Sequence, residues 1–127
     1  MADCSPGIEP VYGLSFIKRA LNGRELFYFN IHFANALKEK GIYSEDSEDL
    51  MKNLANKGSI QDVKELPDDI KRVFKVSHDI SPHWHVKMQS AFQEHTDNAI
   101  SKTVNFPNWA SIKDVEEVFM SAYKYGC

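Results

Sequence analysis

The chain has 127 residues, 43% hydrophobic and 26% charged, enough to bury roughly two thirds of its unfolded surface as one globular domain rather than a disordered or fibrous chain. A net charge of −3 and an isoelectric point near 5.9 argue against a polyanion-binding face, so nucleic acid is not an expected partner. No apolar run approaches the length of a membrane span and no secretory leader pattern opens the sequence, so a cytoplasmic protein without membrane contact is expected.

Residues 1–10 are turn-rich, punctuated by Pro6, Gly7 and Pro10. Between Leu14 and Phe29 two apolar and aromatic runs flank Asn22-Gly23, which predicts a β-hairpin. A helix over Phe16 to Leu21, capped by Ser15, is the alternative. Asn30 is a good N-cap for a helix over Ile31 to Lys40 with Phe33, Ala34 and Leu37 inward and Gly41 just past its end. Ser44 or Ser47 caps a second helix with apolar positions Leu50, Met51 and Leu54, which Gly58 stops. The acids Glu45, Asp46, Glu48 and Asp49 suit that helix's positive end better than a cation site.

Ser59 to Leu66 reads as a connector. Pro67-Asp68-Asp69 opens a short helix with Ile70, Val73 and Phe74 inward, and Ser81-Pro82 opens another to about His95. Trp84, Met88, Ala91, Phe92 and His95 share one side of the latter, its expected buried stripe. Asp97-Asn98 then turns the chain. From Ile100 the residues alternate: Ile100, Val104 and Phe106 fall on one face with the Lys102 stem between them, and Ser101, Thr103 and Asn105 on the other. This predicts a strand over about Ser101 to Phe106, ended by Pro107. Ser111 to Asp114 has capping-box spacing and starts a last helix, with Ile112, Val115, Phe119 and Ala122 as its stripe and Gly126 at its end. The pattern is an α+β, mainly helical fold: a β-hairpin, four to five helices and one short strand.

Reactive chemistry is thinly represented. His78, His83 and His85 lie near Asp79, but His83 and His85 are about 200° apart around a helix and cannot both face one ion, so no metal site is expected. Cys4 and Cys127 have no recognisable base partner. They are expected as reduced thiols, though a disulfide between them remains open. No phosphate-cradling glycine loop is present.

Several stretches nevertheless resemble one family. Ser5-Pro6-Gly7-Ile8-Glu9-Pro10, Arg19 to Leu26, Gly58-Ser59-Ile60-Gln61-Asp62 and Glu65 to Lys71 are similar to the large catalytic chain of ribonucleotide reductases. His78-Asp79-Ile80-Ser81-Pro82 and Asp97 to Pro107 resemble its adenosylcobalamin-dependent class in particular, and Ala122 to Cys127 resembles the helix before the family's final barrel strand. The resemblance implies a portion of a ten-stranded α/β barrel, whose radical cysteine, two reducing cysteines and phosphate loop match no position of this chain. It further implies that Ser101, Thr103 and Asn105 face the barrel interior, where substrate lies. Adenosylcobalamin would serve the parent enzyme, with no cofactor expected on this chain alone and no catalytic residue carried over. The implied partner is the remainder of a reductase chain, and the chain alone is expected to be inactive scaffold. A strand cut from its barrel would have an unpaired edge, which would either pair with a second copy or rearrange. A stand-alone interaction module that retains the scaffold is the alternative.

Overall fold

Asn22-Gly23 turns the chain as its residue types demand: Gly23 takes φ +77°, and the Asn22 side-chain oxygen accepts from the Arg24 N–H. The computed structural model describes residues 4–19, 21–43, 52–54 and 57–127. They fall into two units, the first drawn from residue 4 and the described part of 11–76, the second from residues 5–10 and 77–127.

In the first unit, β1 (Ser15–Arg19) and β2 (Glu25–Phe29) form an antiparallel hairpin with Ser15 opposite Phe29 and Arg19 opposite Glu25. The helical alternative over Phe16 to Leu21 is thereby set aside. Phe16 stacks on its cross-strand partner Tyr28 with ring centroids 4.3 Å apart. Asn30 follows β2 directly, and its backbone N–H reaches Leu14 O at 2.8 Å. Its side chain accepts from Phe33 N at 3.0 Å, capping α1 (Ile31–Glu39) as its residue type predicts. Gly41 closes α1 at φ +68°: Gly41 N–H donates to Lys38 O, and Ile42 N–H to Leu37 O.

Phe33 and Leu37, one turn apart, are fully buried in a core with Leu14, Leu54, Ile60, Val63, Leu66, Ile70 and Val76. The rings of Phe29 and Phe74 lie 5.4 and 5.0 Å from that of Phe33. Ile60, Val63 and Leu66 come from the segment read as a mere connector. Successive turns, Val63 N to Ile60 O and Leu66 N to Val63 O, point every third side chain inward. Pro67 occupies the N-cap of α2 (Asp68–Val73), where Ile70 is buried. Val73, expected inward, is 74% exposed: the six-residue helix ends there, and Phe74 leaves it to reach Phe33. The expected caps Ser44 and Ser47, the acids at 45–49, Leu50 and Met51 lie outside the described residues.

The second unit contains a 3₁₀ turn (Ser77–Asp79), α3 (Pro82–Gln93) and α4 (Ile112–Lys124). Pro82 takes the first position of α3 after Ser81, as expected, and the helix stops at Gln93 rather than near His95. The Thr96 hydroxyl donates to Phe92 O and closes that end. The face of α3 expected to be buried is exposed: Trp84, Met88, Ala91, Phe92 and His95 all face outward, whereas His85 and Val86 are buried. Periodicity locates an apolar stripe but does not supply the surface that covers it. The same holds for α4. Its capping box forms in full, with Ser111 and Asp114 bonded reciprocally, and Gly126 ends it at φ +75°. Yet Ile112 is 89% and Phe119 72% exposed, Val115 is also exposed, and only Ala122 of the expected stripe is half-buried.

The strand expected over Ser101 to Phe106 is not formed: residues 101–107 belong to neither helix nor ladder. A strand requires a neighbour's backbone, and here side chains take that place. Gln89 Nε2 donates to Ile100 O at 2.8 Å, Ile100 N–H donates to Gln93 Oε1 at 3.1 Å, and Thr103 N–H donates to Glu9 Oε1 at 2.7 Å. The alternation survives in burial as far as Val104, with Ser101 and Thr103 exposed between half-buried neighbours. Asn105 breaks it by being half-buried.

Replacing Asn30 by Ala removes a buried cap and is expected to cost about 1–2 kcal/mol in urea unfolding. Phe33→Ala should cost about 3–5 kcal/mol, whereas Phe119→Ala should change stability by less than about 0.5 kcal/mol. A large loss at Phe119 would show that its helix face is covered in solution.

Candidate functional site

Alternation puts Lys102 on the apolar side of its segment, where a charged head requires partners. Its side chain is 1% exposed, with Nζ 2.5 Å from Glu9 Oε2, 3.0 Å from His85 Nδ1 and 2.6 Å from Thr103 O. An ammonium carries three donors and no acceptor, so these three contacts satisfy it. The His85 contact also fixes the imidazole. Facing a donor, Nδ1 must accept, so Nε2 holds the proton and donates to Ser77 O at 3.1 Å.

Each partner reaches the lysine from a different segment. Glu9 sits in the turn of residues 5–10, shaped by Gly7 at φ +64° and by the Glu9 N–H bond to Pro6 O. One of its oxygens meets the Lys102 ammonium and the other the Thr103 N–H, so a single carboxylate grips two adjacent residues. His85 lies near the start of α3, on the side opposite its exposed apolar stripe. Gln89 and Gln93, one and two turns further on, hold Ile100.

The electrostatics follow from this packing. Burial alone would raise the Glu9 carboxyl; hydrogen bonds from Lys102 and the Thr103 N–H, with the Lys102 charge, outweigh it and hold the carboxyl below its ordinary value. Burial pushes the His85 imidazole down, the Ser77 carbonyl opposes this, and the Lys102 cation adds to the lowering. The cluster is thus an ammonium, a carboxylate and a neutral imidazole. All three ammonium donors and both ring nitrogens are engaged, so the arrangement orients chain segments rather than transferring a proton.

A groove of about 800 Å³ runs beside the cluster, between the turn of residues 5–10 and the α3 face bearing Trp84, Met88 and Phe92. Glu9, His85 and Lys102 contribute to its wall.

Of the residues singled out in sequence, Ser101 and Thr103 are exposed on either side of buried Lys102, and Asn105 is half-buried just beyond. His83 is exposed against the rings of Trp84 and Tyr125, while His85 is buried. Among the described residues no three His, Cys, Asp or Glu side chains converge on a point that would hold a metal ion. Cys4 and Cys127 are both exposed free thiols, and partial burial pushes the Cys127 thiol up. Sequence reasoning missed the roles of Glu9 and the two glutamines and the pairing of His85 with Lys102. The available signal was Lys102, a charge at an apolar position; its carboxylate lies 93 positions away, beyond the reach of any local pattern.

Comparison with known proteins places this geometry in context. The family model for the ribonucleotide reductase barrel domain matches residues 1–127. A vitamin B12-dependent ribonucleoside-diphosphate reductase of Thermoplasma acidophilum is 38% identical over 127 residues, all of this chain and 16% of that protein. A Mycobacterium tuberculosis protein of the same name is 34% identical over 124 residues, 98% of this chain and 17% of that one. Among solved structures, the class Id ribonucleotide reductase alpha subunit of Actinobacillus ureae matches with a TM-score of 0.73 at 24% identity, covering 96% of this chain and 21% of that one. That likeness concerns the fold. The chain therefore spans about a sixth of the curated relatives' length.

Acid should loosen the second unit. Between the ordinary histidine value of 6.5 and the lowered folded value of His85, the unfolded chain binds a proton that the folded chain refuses, so stability falls as pH drops through that window. Glu9 acts in the same direction, its contribution present above 4.5 and lost as pH falls through its lowered folded value. Denaturant midpoints measured from pH 8 to pH 4 should decline on the acid side, and His85→Gln should flatten the upper part of that decline. A flat profile in the parent chain would contradict the cluster's geometry.

Proposed function

Because this chain belongs to the ribonucleotide reductase barrel-domain family, we propose that it is a portion of the catalytic barrel of a vitamin B12-dependent reductase that converts ribonucleotides to deoxyribonucleotides. The observation that carries the reading is the match along all 127 residues, joined to 38% identity with a reductase of that name. Within the parent enzyme these residues serve as scaffold, and the polar side chains of Ser101, Thr103 and Asn105 form the wall that faces the nucleotide.

Adenosylcobalamin, when bound, supplies the radical that starts the parent reaction, and a dithiol supplies the electrons. The histidine in the groove wall, His85, has both ring nitrogens engaged, by Ser77 O and by Lys102. The cofactor's seat and the radical cysteine are assigned to the remainder of the parent chain, and this chain by itself is read as inactive.

The exposed stripes of α3 and α4 support the reading as well. Trp84, Met88, Phe92, Ile112 and Phe119 form faces of the kind covered by neighbouring elements in a larger fold. The same faces favour the second reading, an interaction module that keeps the scaffold and pairs with another chain.

Grafting this chain in place of the matching segment of the Thermoplasma acidophilum reductase should yield an enzyme that reduces ribonucleoside diphosphates when adenosylcobalamin and a dithiol are supplied. The isolated chain should show no turnover under the same conditions. A folded graft without turnover would sink the proposal. Light scattering of the isolated chain at rising concentration reports whether a second copy pairs with it instead.

A further inference from the structure

The geometry points to Glu9 and Lys102 as positioning residues for the nucleotide-facing wall. This inference rests on the reading just given. The segment that carries Ser101 and Thr103 has no ladder to hold it, so its position depends on side chains. At its centre the Lys102 ammonium is fixed at three points, on the turn of residues 5–10, on α3 and on the backbone of Thr103. The second oxygen of Glu9 holds the Thr103 N–H. The clamp therefore fixes the backbone of Lys102 and Thr103 and leaves the side chains of Ser101 and Thr103 exposed, one on each side of the buried lysine. Apolar packing alone would tolerate sliding of this segment. A charge with directional partners on two other segments does not, because any slip leaves a buried ammonium without its carboxylate and its imidazole. None of the clamp's groups needs to touch the nucleotide; they act through the two residues they hold.

The test uses the grafted full-length reductase. Glu9→Leu combined with Lys102→Met replaces the ion pair by apolar side chains of similar volume, an exchange that buried pairs commonly tolerate in stability. The double variant should melt within a few degrees of the unmodified graft while its KM for the nucleotide rises about tenfold or more, as expected for misplaced binding groups. A pair that served only stability would leave KM unchanged once the fold melts normally. KM within about twofold of the unmodified graft overturns the inference and leaves the family reading intact. Glu9→Asp provides a second variant that keeps the buried charge paired. Its shorter side chain cannot reach both Lys102 Nζ and Thr103 N, so KM should rise about threefold, and an unchanged KM overturns the inference even if the double variant does not fold. An unmodified graft with no turnover fails at the earlier step and takes both readings with it.

Discussion

A lysine with a side chain 1% exposed has to be answered by its surroundings, and the second unit is arranged to answer it. The turn at residues 5–10 brings a carboxylate, α3 brings a neutral imidazole, and the lysine's own segment brings a carbonyl. Replacing such a cluster with aliphatic side chains often costs little stability, so its presence is better understood as a constraint on geometry than as a source of cohesion. It fixes where one extended segment runs relative to a turn joined to it by a carboxylate.

The two units handle their apolar residues differently. The first has a sealed core: Phe33 and Leu37 are fully buried, and even the turns at residues 60–66 send Ile60, Val63 and Leu66 inward. The second has two helices whose apolar faces stay open, Trp84 and Phe92 on α3 and Ile112 and Phe119 on α4, although α4 begins in a complete capping box. Caps and burial are separable. Ser111 and Asp114 form their reciprocal bonds from local backbone geometry alone, whereas burial of Phe119 depends on surface from elsewhere. Open faces of this kind are what a segment spanning about a sixth of its relatives' length would present.

The missing strand follows the same logic. Ile100 to Phe106 has the alternation of a strand, and as far as Val104 its burial still alternates. A ladder is a property of two segments, and alternation in one of them is a statement about one side of the pair. Here Gln89, Gln93 and Glu9 occupy backbone groups that a neighbouring strand would otherwise take.

Local chemistry was legible from residue types and spacing alone. Asn30 and Ser111 cap because their oxygens reach N–H groups two or three residues on, Gly41 and Gly126 end helices because they accept positive φ, and Asn22-Gly23 turns a hairpin for the same reason. The kinship with reductases was likewise readable from short stretches spread along the whole chain. What only the folded molecule decided was which apolar stripes are covered and which charges meet. Those outcomes depend on contacts between residues distant in sequence, as when Glu9 meets Lys102 across 93 positions, and no periodicity within a single segment encodes such a meeting.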